Sequence, residues 1–220
     1  MTQVALIGGT GLVGREAARR LWASGEVGLV SFVRREPKAR YERKISFERL
    51  LHDGISTLEM EQIDIAICCL GTTMKQAGSK GGFRRIDHDY VMAFAKAALK
   101  LGARQFILVS SVGAKRGSST YYLSVKGEVE VAVSKLGFER VDVIRPGLLI
   151  GNRKQRRLGE RMAQIIVPRL HWLMRGPLRR YRATRADTVA RAIVELTGAT
   201  DPGRYLYENQ QLDILDQGFA

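Results

Sequence analysis

Residues 4–14 read Val-Ala-Leu-Ile-Gly-Gly-Thr-Gly-Leu-Val-Gly, an apolar run followed by glycines at positions 8, 11 and 14. This pattern predicts a strand, a tight turn and an amphipathic helix over residues 12–22. Glycine lets such a turn bend sharply, approach a pyrophosphate and pack the helix closely on the strand. The free N–H groups at the helix N-terminus would attract the phosphates. We therefore expect a dinucleotide-binding turn, with a glycine-rich turn that binds nothing as the alternative; its contact residues would be Gly8, Thr10, Gly11, Leu12, Val13 and Gly14.

Length and composition favour one globular domain over residues 1–220, because 220 residues with 45% hydrophobic side chains can bury a full core. No run approaches the roughly 18 apolar residues that a membrane span needs, and the chain opens on a strand and not on a signal peptide. We therefore expect a cytoplasmic protein. Cys68 and Cys69 are adjacent in an apolar run, which predicts free core thiols and no metal site.

Positive charge is concentrated towards the C-terminus. The formal net charge is +14, and residues 151–191 hold twelve lysines and arginines against two acids. Such a segment suits an anionic substrate or a partner, or is simply a solvated surface. We do not expect nucleic acid as a partner, because no recognisable nucleic-acid motif accompanies the charge. We interpret residues 151–203 as a small basic substrate-side or interaction segment of the single domain.

Strand-like and helix-like segments alternate along the chain. This order predicts an α/β fold with a doubly wound parallel sheet and helices on both faces. Residues 74–82 are glycine-rich and predict a mobile loop. The predicted strands after the first are 29–33, 45–47, 63–70, 105–110, 141–144 and 204–207. The predicted later helices are 86–101, 129–136, 158–173 with a break at Pro168, and 184–196 with Thr184 as N-cap.

The end of the second predicted strand indicates which cofactor would bind. Arg34 and Arg35 follow this strand, and no acid occurs there before Glu36. An acid at this point would bind the ribose hydroxyls of NAD, whereas arginine complements a 2′-phosphate. The residues therefore predict NADP(H), unless both arginines only solvate the loop. The cofactor would also pass the small-residue loop after the fourth strand, which consists of Leu70, Gly71, Thr72 and Thr73.

Further downstream lie the side chains that could react. Ser110 and Ser111 close a central strand, and Tyr122 and Lys126 are spaced to share one helix face. A free phenol, with a pKa near 10, is a poor acid or base at neutral pH, but a nearby cation stabilises the phenolate. A serine hydroxyl can orient a substrate oxygen for proton exchange with the phenol. Together these groups suit hydride transfer beside a nicotinamide.

The chain resembles the atypical short-chain dehydrogenase/reductases, and is most similar to the branch that contains the Tat-interacting oxidoreductase-like proteins. The resemblance implies a Rossmann fold and NADP(H) binding. It also implies that Tyr122 is the acid/base, that Lys126 holds the ribose, that Ser111 or Ser110 positions the substrate, and that Pro146 and Gly147 approach the nicotinamide. The matching segments are Gly8-Gly-Thr-Gly-Leu-Val-Gly14, Cys68-Cys-Leu-Gly-Thr-Thr73, Asp89-Tyr-Val91, Ser110-Ser111, Tyr122-Leu-Ser-Val-Lys-Gly-Glu-Val-Glu130 and Arg145-Pro-Gly147.

These features favour an NADP(H)-dependent oxidoreductase acting on a small carbonyl or alcohol substrate, which the basic C-terminal segment allows to be anionic. An alternative is an NADPH-binding regulatory protein without turnover. A sugar-nucleotide epimerase is disfavoured because the portion after Gly147 is short. We expect a monomer or a homodimer.

Overall fold

The computed structural model describes residues 1–151 and 182–217, and it confirms the parallel α/β sheet expected from the sequence. Seven strands pair in the order β3-β2-β1-β4-β5-β6-β9, each parallel to its neighbours. A separate two-stranded sheet pairs β7 with β8. The strands are β1 (Thr2–Ile7), β2 (Val27–Val33), β3 (Glu42–Lys44), β4 (Ile65–Cys68), β5 (Gln105–Val109), β6 (Arg140–Ile144), β7 (Leu149–Ile150), β8 (Thr184–Arg185) and β9 (Gly203–Tyr207).

The strand order reverses direction between β1 and β4, and this point locates the ligand crevice. Ile7 at the end of β1 is in register with Phe32 of β2 on one side and Cys68 of β4 on the other. The turn after β1 and the loop after β4 therefore meet at one edge of the sheet. In open parallel sheets, ligands bind at the carboxyl ends of the strands where the order reverses.

Helices cover both faces of the large sheet. Leu21, Val189 and Leu212 belong to the apolar cluster on one face, and Leu50 and Phe94 to the cluster on the other. Each such side chain stabilises the fold by about 1.5–3 kcal/mol. The helices are α1 (Leu12–Ser24), α2 (Phe47–Asp53), α3 (Met74–Ala77), α4 (Lys80–Arg84), α5 (Tyr90–Lys100), α6 (Tyr121–Ser134), α7 (Ala186–Leu196) and α8 (Asn209–Gln217), with a 3₁₀ turn at Gly54–Thr57 and a π turn at Arg85–Asp89.

Helix caps explain two differences from the sequence-based expectations. The third strand occupies Glu42–Lys44 instead of 45–47, because the Ser46 hydroxyl accepts a hydrogen bond from the Arg49 amide and starts α2 at Phe47. Residues 74–82 form α3 and the beginning of α4 instead of a mobile loop. The hydroxyls of Thr73 and Ser79 cap these two short helices.

Two helix starts also differ from expectation. Helix α6 begins at Tyr121 and not at residue 129, so Tyr122 and Lys126 lie within it. Thr184 is not an N-cap; it lies in β8, and α7 begins at Ala186 without a side-chain cap. The helix α8 was not anticipated, and the helix expected over residues 158–173 falls outside the described residues.

Part of the basic C-terminal segment belongs to the central fold. Helix α7 packs its apolar face against α1, and Arg20 of α1 lies 2.5 Å from the Asp187 carboxylate. Residues 186–196 therefore complete a helix layer beside the sheet. Most of the remaining segment, residues 152–181, is outside the described part of the chain.

Two further expectations from the sequence concern the state of the cysteines and the presence of membrane-spanning helices. Cys68 and Cys69 are both free, and Cys68 is fully buried. Burial raises the pKa of the Cys68 thiol to about 12. Within residues 1–151 and 182–217, no helix is both long and apolar enough to cross a bilayer.

Candidate functional site

The turn after β1 has the close contacts that a phosphate-binding loop requires. Gly8 has a φ of +82°, and a Cβ there would lie 2.3 Å from the Cys69 carbonyl carbon. A Cβ on Gly14 would lie 2.4 Å from the Gly8 carbonyl oxygen. No side chain caps α1 at Gly11, and no acid occupies its first turn. The helix N-terminus therefore presents unopposed N–H groups to an anion.

The loop after β4 is tied to the turn before α5. The Thr72 amide donates a hydrogen bond to Asp87 Oδ2 at 2.8 Å. A Cβ on Gly71 would lie 3.4 Å from both Asp87 Oδ1 and the Lys126 ammonium. The predicted cofactor loop and Lys126 of α6 thus meet around one buried carboxylate, while Thr73 serves as the cap of α3 and Leu70 is half-buried.

Lys126 and Asp87 form a buried ion pair with 2.8 Å between Nζ and Oδ1. Their side chains are 5% and 0% exposed, so the pair is almost completely removed from water. Burial by itself lowers the pKa of Lys126, but Asp87 and the nearby Tyr122 outweigh it, and the pKa lies above the ordinary value. The ammonium therefore stays charged beside the site.

Tyr122 is positioned by α4. Its ring lies 5.4 Å from the ring of the buried Phe83, measured between centroids. The neighbouring Tyr121 donates its hydroxyl to the Lys80 carbonyl at 3.1 Å. In contrast, the Tyr122 hydroxyl has no hydrogen-bond partner among the described residues. Its phenol is therefore held in place by the ring contact and keeps its hydroxyl open.

The two serines after β5 have different surroundings. Ser110 is buried, and its hydroxyl donates to the Glu130 carboxylate, which is also held by Arg145. Ser111 is half-buried, and within residues 1–151 and 182–217 its hydroxyl makes only a long 3.4 Å contact with the Val112 carbonyl. Only Ser111 therefore has a hydroxyl available for a ligand.

The segment after β6 is hydrogen-bonded to the serine loop, the loop after β5 that contains Ser110 and Ser111. The Val112 amide donates to the Pro146 carbonyl at 3.0 Å. The Gly147 amide donates to Thr184 Oγ1 at 3.0 Å and to Asn209 Oδ1 at 3.3 Å. Pro146 and Gly147 are thus fixed in position near Ser111, but the Gly147 N–H is already used within the protein.

Arg34 and Arg35 follow β2, and like the two serines they differ in whether another residue of the protein already binds the side chain. Arg35 makes two hydrogen bonds to the Glu42 carboxylate, at 2.7 and 2.8 Å. Arg34 lines a cavity of about 440 Å³ together with Lys44 and Thr57, and it has no ion-pair partner among the described residues. Of these two arginines, Arg34 is therefore the one that the described residues leave open to a ligand.

Sequence reasoning missed three residues of this arrangement. Asp87 and Phe83 belong to none of the motifs that the sequence offers, and Glu130 is only the last residue of the segment that begins at Tyr122. The signal for Asp87 was a carboxylate followed by an apolar helix, which is common at helix starts that have no function. The contacts of all three cross between elements, so sequence spacing does not reveal them.

Comparisons with known proteins agree with this geometry. A family described as NAD(P)H-binding matches residues 8–164. Protein HTATIP2 of Rattus norvegicus is 35% identical over 73% of this chain and 68% of its own length. Protein FMP52, mitochondrial, of Coccidioides immitis is 32% identical over 98% of this chain and 93% of its own.

A solved structure shares the fold. The human epimerase family protein SDR39U1 with NADPH superposes with a TM-score of 0.63 at 18% identity, covering 93% of this chain and 72% of that chain. The sequence identity to HTATIP2 and the family match, reported above, confirm the resemblance to the Tat-interacting oxidoreductase-like branch.

The relatives also correct one expectation. Several fungal relatives are named mitochondrial, which contradicts the cytoplasmic location inferred from the sequence. The lack of a long apolar run carries no information about the compartment. On the matched residues and the identities, the chain belongs to the NAD(P)H-binding family that includes HTATIP2 and FMP52.

Proposed function

We propose that this protein is an NADP(H)-dependent oxidoreductase that acts on a small carbonyl or alcohol substrate. The observation that carries the proposal is the buried Lys126–Asp87 pair beside Gly71, one helical turn from the open phenol of Tyr122. A buried ammonium held at the carboxyl edge of the sheet suits the ribose end of a dinucleotide. It also provides the cation that makes a nearby phenol useful for proton transfer.

The phosphate end of the cofactor has a matching environment. Gly8 and Gly14 let the turn after β1 pack tightly against Cys69 and against itself, and α1 directs uncapped N–H groups from the end of this turn. No carboxylate in the first turn of α1 opposes an anion. Gly8, Thr10, Gly11, Leu12, Val13 and Gly14 would hold this part of the cofactor, with Leu70, Gly71, Thr72 and Thr73 along the opposite wall.

Arg34 is the residue that we expect to select NADP over NAD. It lines the cavity at the ends of β2 and β3 and has no ion-pair partner among the described residues, whereas Lys44 at the same cavity is paired with Glu36. The buried hydroxyl of Thr57 lines the same cavity and has no hydrogen-bond partner among the described residues. An arginine fork and a free hydroxyl suit a 2′-phosphate. Arg35 would instead act indirectly by holding Glu42 and the loop before β3.

The proposed chemistry assigns one step to each open side chain. NADP(H), when bound, supplies or accepts the hydride. Tyr122 gives its phenolic proton to the substrate oxygen in reduction and takes it back in oxidation. Ser111 donates a hydrogen bond to the same oxygen and holds it near the phenol. Lys126 stabilises the phenolate and contacts the ribose, while Ser110 remains bound to Glu130 and supports the loop.

Replacing the phenolic hydroxyl tests this assignment. The full chain would be incubated with NADPH and a panel of small carbonyl compounds, and NADPH consumption followed for wild type, Tyr122→Phe and Tyr121→Phe. We expect Tyr122→Phe to lower kcat by about 10²- to 10⁴-fold, the range that a positioned acid contributes, with NADPH affinity unchanged. Tyr121→Phe is the matched control, because its hydroxyl contacts only the Lys80 carbonyl in the described part of the chain.

Two outcomes would contradict the proposal. Full turnover by Tyr122→Phe would remove Tyr122 from the reaction. Tight NADPH binding without consumption of any carbonyl on the panel would favour the regulatory alternative, in which the cofactor acts as an effector.

A further inference from the structure

A second cavity, of about 620 Å³, lies on the other side of α6 from the candidate site. Val131 of α6 lines it and follows Tyr122 by nine residues. At about 100° per residue, nine residues place the two side chains on opposite sides of the helix. The cavity is therefore separate from the edge where Tyr122 and Lys126 meet the cofactor loop.

The wall of this cavity is closely packed onto α6. The loop 113–116 follows Ser110 and Ser111 and crosses α6 at Gly127. A Cβ on Gly127 would lie 2.3 Å from the Arg116 amide nitrogen and 2.3 Å from the Lys115 carbonyl carbon. The backbone of Lys115 and Arg116 is thus seated against the helix, and their side chains project from a defined position at the cavity.

Positive charge exceeds negative charge around the cavity. Arg145 uses Nε and Nη2 to bind Glu130 at 3.0 and 2.5 Å, so these two residues neutralise each other. Its remaining nitrogen, Nη1, lies 3.9 Å from Glu208, which is beyond hydrogen-bond distance. Lys115 and Arg116 are exposed and form no ion pair within residues 1–151 and 182–217. One carboxylate, Glu208, therefore faces two unpaired cations.

We propose that this cavity binds a small molecule through an oxyanion group, a phosphate or a carboxylate, held by Lys115, Arg116 and Nη1 of Arg145. The volume suits a small organic ligand and exceeds the needs of a single ion. Guanidinium groups bind both oxyanions through paired hydrogen bonds. A cation is disfavoured because it would meet the unpaired charges of Lys115 and Arg116.

A ligand in this cavity would lie next to the residues that hold the serine loop in place. Arg145 holds Glu130, and Glu130 accepts the hydroxyl of Ser110, which directly precedes Ser111. An oxyanion that replaces Glu208 near Arg145 therefore binds next to the cluster that joins α6, the serine loop and the end of β6. This site goes beyond the proposed oxidoreductase function, and its existence does not depend on turnover.

Titration of the cofactor-saturated protein tests the site. The full chain would be saturated with NADPH to occupy other phosphate sites, then titrated at constant ionic strength with inorganic phosphate and, separately, with succinate. Backbone amide resonances would report binding. We expect saturable shifts at Gly113, Gly127 and Val131. Lys115→Ala and Arg116→Ala should each weaken binding about tenfold, since each removes one charge-assisted contact.

One further variant tests the cavity wall, and another controls for the loss of net charge. Val131→Asp places a negative charge in the wall at a side chain that is 39% exposed, and it should weaken binding at least as much. Lys135→Ala removes the same charge from an exposed position at the end of α6, outside the cavity, and should leave the affinity within about twofold.

The results separate the two ligand chemistries and can overturn the proposal. Tighter phosphate binding identifies a phosphorylated ligand, and tighter succinate binding identifies a carboxylate. No saturable shift with either probe, or equal affinities for wild type, Lys115→Ala, Arg116→Ala and Val131→Asp, would overturn it.

Discussion

Lys126 and Asp87 are joined by a buried ion pair, with 2.8 Å between the ammonium nitrogen and Oδ1 of the carboxylate. The lysine lies in α6 and the aspartate in the turn before α5, so the pair connects two separate helices near the loop after β4. The same carboxylate accepts the Thr72 amide through its other oxygen. One buried group thus positions the lysine and the loop after β4.

Asp87→Asn should lower the free energy of unfolding by about 3 kcal/mol, because it leaves the buried Lys126 charge without its partner. The amide oxygen can still accept the Thr72 N–H, so the loss isolates the charge. Asp89→Asn is the control, since its side chain is 39% exposed and pairs with His88. Urea unfolding of both variants measures the difference, and equal losses would contradict this role for Asp87.

Arg34→Ala should weaken NADPH binding by about tenfold or more and leave NADH binding nearly unchanged, because only NADPH carries the 2′-phosphate. Arg35→Ala should affect both cofactors equally, since it acts through Glu42. Fluorescence titration with each cofactor measures this. Equal weakening of NADPH and NADH by Arg34→Ala would remove Arg34 from the phosphate site.

Glu42→Gln should remove part of the acid sensitivity of folding. The hydrogen bonds from Arg35 hold the pKa of Glu42 below its ordinary value of 4.5. Because the folded pKa is depressed, the stabilisation is complete above about pH 4.5 and is lost as the pH falls through the folded pKa. We expect the variant to be less stable by about 1 kcal/mol at neutral pH, a modest value because Arg35 is 38% exposed and screened by solvent.

Denaturant unfolding from neutral to acid pH checks this dependence. The difference between wild type and Glu42→Gln should shrink below pH 4.5. The exposed Glu61→Gln variant controls for loss of a negative charge at the surface. A difference that stays constant across the acid range would contradict the assignment.

Gly14→Ala should lower the free energy of unfolding by about 2 kcal/mol and abolish tight cofactor binding. The new methyl group would lie 2.4 Å from the Gly8 carbonyl oxygen, so the turn must shift away from its phosphate-binding shape. Gly198→Ala is the control, because its nearest atom, the Glu195 carbonyl oxygen, is at an ordinary 3.5 Å. Thermal unfolding and NADPH titration measure both effects, and unchanged NADPH affinity in Gly14→Ala would contradict the role of this turn.

The sequence determined the fold class because its signals are local. Alternating apolar segments, the glycine turn and the spacing of Tyr122 and Lys126 are all readable from neighbouring residues. Local signals also misled where caps decided the outcome: Ser46 starts a helix where a strand was expected, and Thr73 and Ser79 convert an expected loop into two helical turns. One capping residue changes the sequence pattern much less than a run of apolar residues does, so a cap is easily overlooked when secondary structure is predicted.

Only the tertiary structure decided which of several equivalent residues are open to a ligand. The sequence predicted that both Arg34 and Arg35 bind the cofactor, and it favoured Ser111 with Ser110 as the rival. The fold brings Glu42 to Arg35 and Glu130 to Ser110, which leaves Arg34 and Ser111 available. It likewise brings Asp87 to Lys126 and the 113–116 loop to Gly127. These partners are distant in the chain or lie on different elements, so the distances between their side chains are set only when the chain folds. The periodicity that defines helices and strands, in contrast, is a property of neighbouring residues.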